Sequence, residues 1–431
     1  MNPSNKVLKN FSYLSIVQVL NYGLPLITIP IVSRALGVET IGMVNYIFSY
    51  ITYFVLFVSY SFSLTAIRKL SNQNQINLIF SLVFKSQILL FLISTIVFLF
   101  VLFFIPDLKK NQNLAIVAYL LVVAALFDKS WLFQYKQDLS VVAIVNAIFK
   151  LLSMVFIVFF VSEKKDYLIY ALALSGVNLL TNLVLFITSL IKYKIQLVQT
   201  SIEDIINFLK QGKTLFFSSI VISLYTATST LLLGLYCSNR EVGLYTAATK
   251  IIDIAKVFAI MPITQLIFPL VAQKISQNLE EGMIFVKKLM PLFGVICMIL
   301  FFGMLVFGPI AINVLFGQEF LDATITLWIL SSTLILILLS TVFGVLVMVN
   351  LSMDELFFKN QLYVAIISVI LTVCVLPYGG AQTSAIILVI SEVLITAYQY
   401  YCIKSSGYSL FSMDMFKISA LKESLSVLRK N

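Results

Sequence analysis

Long apolar runs alternate with short polar connections along the whole chain. Twelve runs stand out: 11–33, 41–66, 78–104, 114–135, 140–161, 168–190, 212–235, 244–272, 289–312, 322–348, 361–377 and 384–403. A helix needs about 20 apolar residues, at 1.5 Å rise each, to cross roughly 30 Å of hydrocarbon. The runs match that length. The strands of a membrane β-barrel are about ten residues long and alternate in polarity, whereas these runs are longer and solidly apolar. The pattern predicts an all-α polytopic membrane protein with twelve transmembrane helices. No connection exceeds about two dozen residues, which is too short to hold an independent core.

The charges orient the spans. With the N-terminus in the cytosol, inside segments carry 18 of the 29 Lys and Arg, outer loops carry six (Arg34, Lys109, Lys110, Lys164, Lys165, Arg240), and five lie within spans. This excess follows the positive-inside rule and predicts both termini to be cytoplasmic. The net charge of +10 is thereby explained by topology, without a nucleic-acid partner. Composition agrees, at 60% hydrophobic and 11% charged. The first run is too long for a signal-peptide core and lacks a small-residue cleavage site, so it is expected to stay as a membrane helix. Cys237, Cys297, Cys374 and Cys402 are scattered and read as apolar packing residues. The chain has no histidine, and neither a metal nor a cofactor is expected.

The two halves repeat one feature. Leu36-Gly37 and Glu39-Thr40-Ile41-Gly42 join the first two spans, and Arg240-Glu241-Val242-Gly243 joins the seventh and eighth about 200 residues later. In each, an acidic residue precedes a glycine that is expected to open the next helix. Six spans per half make two parallel lobes related by a pseudo-twofold axis along the membrane normal. The expected division is an N-terminal lobe over 1–195, an amphipathic linker over 196–213, a C-terminal lobe over 214–403 and a basic cytoplasmic tail over 404–431. Within the linker, Ser201 caps a helix whose Ile202, Ile205, Ile206 and Leu209 share one side, suited to the inner membrane face.

Several stretches resemble one family. Leu24-Pro25 through Pro30, Ser33-Arg34, Asp128-Lys129-Ser130-Trp131-Leu132-Phe133-Gln134, Asn146, Lys150, Glu241-Val242-Gly243-Leu244-Tyr245, Phe268-Pro269, Leu315 to Phe320 and Tyr378-Gly379-Gly380 are similar to the bacterial O-antigen and polysaccharide flippases. These form the lipid-linked oligosaccharide branch of the multidrug/oligosaccharidyl-lipid/polysaccharide exporter superfamily. Tyr135 stands where that pattern has glycine, and Gln137 where it has glutamate. The resemblance implies a non-enzymatic flippase in the bacterial inner membrane. Its passenger would be a polyprenyl-pyrophosphate-linked oligosaccharide, such as an O-antigen or capsular repeat unit, moved by alternating access. Membrane lipids, a polysaccharide polymerase and a chain-length regulator are the implied partners.

An ionisable group at bilayer depth costs roughly 2.5–3.5 kcal/mol on insertion scales and tends to mark a pathway. Lys85 and Lys129 lie near span ends and are expected to snorkel, whereas Lys150 sits mid-span. Lys250, Asp253 and Lys256 fall within a 120° arc of the eighth span, a stripe suited to an anionic passenger. Arg34 adds a further cation. Gln18 and Asn21 form a polar face in the first span, Tyr46, Tyr50 and Tyr53 an aromatic stripe in the second, and Tyr225 a polar face in the seventh; these are the candidate glycan contacts. Asp253, Glu392 and Asp128 are candidates for ion coupling. Two other functions compete with this one: a multidrug exporter, which would favour acidic sites for cationic drugs, and a membrane oligosaccharide polymerase, which would need a substantial outer loop.

Overall fold

The computed structural model describes residues 3–73, 75–226, 228–410 and 417–429. Of these, the side chains of 3–20, 22, 71–73, 222, 224–226, 261–265, 418, 425 and 427–429 fall outside the description. The described residues contain helices and no strand. Nine helical segments among them are long and apolar enough to cross a membrane, so the expectation of an all-α polytopic membrane protein holds. The chain forms two compact units, Met1–Ser223 and Leu224–Asn431.

In the first unit, α1 (Pro3–Ser59) runs through Pro25 and Pro30 and leaves helical geometry at Gly37, whose φ of 75° suits glycine. The turn therefore falls at the glycine, while the prolines stay within α1. Tyr60 and Ser61, at φ 43° and 55°, break the chain again before α2 (Phe62–Gln73). There follow α3 (Ile76–Phe104), the short α4 (Pro106–Lys110), α5 (Gln112–Phe127), α6 (Ser130–Tyr135), α7 (Leu139–Phe160), α8 (Tyr167–Lys192) and α9 (Ile202–Thr226). Helix α5 packs on α8, and α1 packs on α5 and α7. Ile93, Ile96, Phe100 and Phe103 of α3, and Leu152, Val155 and Phe159 of α7, point outward. Outward-facing apolar surface of this extent is what a lipid environment requires.

The segment between α8 and α9 is strapped to α3. Asn77 Oδ1 accepts from Gln196 N (3.2 Å), Ser81 Oγ accepts from Val198 N (2.8 Å), and Lys85 Nζ donates to Val198 O (2.9 Å). Side chains at i, i+4 and i+8 on one helix thus satisfy an extended backbone that has no strand partner. Ser201 and Asp204 cap α9 reciprocally. Ile205 and Phe208 of α9 are buried against Phe62 and Leu70, whereas Ile202 and Ile206 are exposed. Of the four isoleucine and leucine positions, Ile205 and Leu209 pack against the protein and Ile202 and Ile206 stay exposed. Beside them, Asp138 pairs with Lys192 (2.5 Å) and accepts from the Tyr193 hydroxyl (3.0 Å). Burial raises the Asp138 carboxyl, but those two donors outweigh it and hold it below its ordinary value.

The second unit contains α10 (Thr228–Tyr236), α11 (Asn239–Ala255), a π-helical turn at Lys256–Ile260, α12 (Met261–Gln277), α13 (Leu279–Leu315), α14 (Ala323–Ser340), a second π-helical stretch at Thr341–Met348, α15 (Asp354–Val375), α16 (Ala381–Ser405) and α17 (Ile418–Arg429). Helix α14 is central, packing on α11, α13 and α16. Helix α11 opens at Ser238, which caps it, so Gly243 lies within the helix and does not start it. Helix α17 docks on α13 through a Lys288–Glu423 ion pair of 2.9 Å and a bond from Ser424 Oγ to the Lys288 carbonyl.

Candidate functional site

A cavity of about 340 Å³ lies within the first unit among α1, α5, α7 and α8. Leu24, Pro25, Leu121, Ile157 and Val177 give it apolar walls, and Asn21, Thr28, Lys150, Ser153 and Asn178 give it polar groups. Lys150 is the cation in this lining. It stands eleven residues from the start of the 22-residue α7, about 16 Å from either end and hence near mid-membrane if the helix spans. Its ammonium donates to Asn21 Oδ1. A cation, amides and hydroxyls facing a roomy, mostly apolar hollow can hold an anionic group together with neutral hydroxyl-bearing ones, while the walls accept hydrocarbon.

The predicted site residues separate by location. Asn21 lines this cavity. Tyr46 and Tyr50 are buried, with their hydroxyls 2.9 Å apart and Tyr46 donating to Asp107 Oδ2 of α4 at 3.1 Å. Tyr53 is half-buried on the same helix. Arg34 is exposed, and its guanidinium returns to the Pro30 carbonyl at 2.9 Å. Asp128 accepts at 2.9 Å from the backbone N–H of Ser130, the first residue of α6. Lys250, Asp253 and Lys256 are half-buried in the second unit, with Lys256 and Asp253 paired at 2.6 Å where α11 meets the π-helical turn. Glu392 is buried on α16. The side chains of Gln18 and Tyr225 lie outside the described residues.

Lys129 departs from expectation. It is 0% exposed and does not snorkel. Its ammonium donates to Gln87 Oε1 at 2.6 Å and to the Leu126 carbonyl at 3.0 Å, with the rings of Phe80, Phe84 and Phe186 within 6 Å. The break between α5 and α6 turns the side chain inward, and Gln87 and three aromatic faces replace water. Lys85 ends on the strap carbonyl already described. The sequence marked Lys150 as a deep charge but did not place it in the site. Asn178 carried no signal beyond an amide within an apolar run.

A family model described as polysaccharide biosynthesis protein matches residues 7–275. The chain belongs to the polysaccharide biosynthesis protein family. This family member is also similar along most of its length to two proteins, each named "Putative O-antigen transporter". It is 28% identical over 397 residues to the one from Escherichia coli (strain K12), covering 90% of this chain and 94% of the relative. It is 24% identical over 403 residues to the one from Shigella dysenteriae, covering 92% and 100%. Among solved structures, the lipid II flippase MurJ in an inward closed conformation superposes with a TM-score of 0.74 at 13% identity, over 98% of this chain and 91% of that one. An inward-facing multidrug resistance MATE family transporter of the MOP superfamily gives 0.62 at 15% identity, over 92% and 98%. At these identities the structural likeness concerns the fold. The family member is a membrane transporter of polysaccharide biosynthesis and not an enzyme, a multi-pass protein of the bacterial inner membrane.

Proposed function

We propose that this protein is a flippase that carries polyprenyl-pyrophosphate-linked oligosaccharide repeat units across the cytoplasmic membrane by alternating access. The observation that carries this reading is Lys150, a cation held at mid-helix depth in an amide- and hydroxyl-lined cavity. A lysine at that depth is costly, and an anionic passenger would give it a purpose. Pyrophosphate leaving water needs cationic partners, and sugars need amides and hydroxyls. In this scheme Lys150, Lys250 and Lys256 engage phosphate, with Arg34 as an entry contact. Asn21 and Tyr53 meet the glycan, as do Gln18 and Tyr225. Tyr46 and Tyr50 join only if their bonds to each other and to Asp107 open. An inside-negative potential favours outward movement of the negative headgroup, by about 2.3 kcal/mol per charge per 100 mV. Asp253, Glu392 and Asp128 are the groups assigned to any ion coupling.

The competing reading, a multidrug exporter, is supported by the MATE fold alone. A lysine-bearing cavity disfavours the cationic drugs such a site would need to attract. Deletion in the source organism, with analysis of lipid-linked intermediates, tests the proposal. Complete glycan carrier is expected to accumulate on the cytosolic leaflet. Normal export with loss of chain lengthening would instead indicate a polymerase. Lys150→Gln is expected to reduce export at unchanged protein level, and full export by that variant would remove Lys150 from the site.

A further inference from the structure

Two charged residues at the start of α11, Arg240 and Glu241, are left unused by the transport scheme. Each reaches a different helix of the second unit. Arg240 Nη2 lies 2.5 Å from Asp322, the residue before α14. Glu241 Oε2 accepts from the backbone N–H of Ala381, the first residue of α16, at 2.6 Å. The residue that should cap α16 is Gly380, which has no side chain to do so. A helix N-terminus carries unsatisfied N–H groups and partial positive charge, and here the compensating carboxylate comes from another helix.

The neighbouring residues are shaped around this contact. A Cβ at position 380 would lie 2.4 Å from Glu241 Oε2, so glycine keeps the slot open. Cys237 Sγ sits 3.3 Å from the Gly379 carbonyl and adds a second contact between the same two turns. The Glu-Val-Gly and Tyr-Gly-Gly stretches, 140 residues apart, are therefore two halves of one joint. Among the described residues the first unit does not repeat it. Glu39 is exposed there, and the Asp166 side chain accepts from Ser162 N and Glu163 N, in the turn that precedes α8.

We propose that Glu241 is a positioning residue. By acting as the N-cap of α16 from α11, it fixes the rotation and height of α11. Because α11 is unbroken from Asn239 to Ala255, Lys250 and Asp253 inherit that setting, as does Lys256 at its end. This inference rests on the reading that the stripe contacts substrate.

The test separates anchoring from simple capping. Full-length Glu241→Ala, Glu241→Gln, Glu241→Ala/Gly380→Asp and Lys250→Gln are expressed in a deletion strain. Surface glycan reports export, and the melting temperature is read on purified protein in detergent. Glu241→Ala is expected to lose at least tenfold in export and to melt about 2 °C earlier. The double variant gives α16 its own cap, so melting should recover while export stays low. Glu241→Gln keeps an acceptor oxygen and should export within about threefold of wild type.

Normal export by Glu241→Ala, or recovery of both readouts in the double variant, would overturn the proposal. So would loss of export by Glu241→Gln with intact melting, since charge and not anchoring would then be what transport needs. If the double variant does not regain its melting temperature, the Glu241→Gln result decides. If Lys250→Gln exports normally while the double variant stays inactive, the stripe reading fails and Glu241 positions some other group on α11.

Discussion

Lys129 and Lys150 show how differently two intramembrane lysines can be accommodated. Lys129 is enclosed by Gln87 and three phenylalanine rings and has no part in the cavity. Lys150 faces the cavity with Asn21. The sequence showed that both are cations within apolar runs, but it could not show which way each side chain turns. That depends on the break at Asp128–Lys129, which no glycine or proline announces. Lys129→Ala removes the stem and leaves Gln87 Oε1 without its donor, so it should destabilise the protein by about 2–5 kcal/mol. Lys129→Met keeps most of the volume and should cost less than half as much. Thermal melts of the two purified variants, compared with wild type, check the order. Equal melting of Ala and Met variants would mean that packing around the stem contributes little.

At the scale of elements, the spans were legible because length and hydropathy are local properties, whereas their interruptions were not. The hydropathy pattern predicts one helix for the eighth span, but the span contains a π-helical turn at Lys256–Ile260. The same pattern predicts an unbroken second span, which the positive-φ pair Tyr60–Ser61 interrupts. Joints between elements follow from contacts that are distant in sequence or from steric fit. Gly282, near the start of α13, is one such joint, because an added Cβ would lie 2.8–2.9 Å from the backbone N and Cα of Ile275 in α12. Backbone cannot yield as a rotamer does. Gly282→Ala is therefore expected to cost about 1–3 kcal/mol, seen as a lower melting temperature with an unchanged helical circular-dichroism signal.

The Asp138–Lys192–Tyr193 cluster between α7 and α8 adds a pH dependence. The folded carboxyl titrates below its ordinary value of 3.8, so its stabilisation is present above that value and lost as pH falls through the lower folded one. Asp138→Asn should therefore melt earlier than wild type at pH 7, and the gap should close under strongly acidic conditions. A gap that persists there would assign the effect to geometry.

For the molecule as a whole, composition and charge pattern were enough to place the chain in a membrane, and the nine long apolar helices among the described residues agree. The cavity was not legible, because its lining comes from four helices whose relative rotation no single run encodes. Of the predicted site residues whose side chains are described, Asn21 alone lines it. The charge bias makes a topological prediction. Reporters fused after residue 431 and at the N-terminus should both be active as cytoplasmic fusions, and alkaline phosphatase inserted at 164–165 should be active outside. An inactive phosphatase at that loop would refute the orientation. The π-helical turn at Lys256–Ile260 also bears on how this gene can change. Such a turn is an α-helix with one residue too many, so losing a single codon there would restore ordinary winding and leave the flanking faces in register. The same loss within an α-helical stretch of a span would swing every later side chain by about 100°. Heredity should therefore forgive a deletion at this one turn of the eighth span.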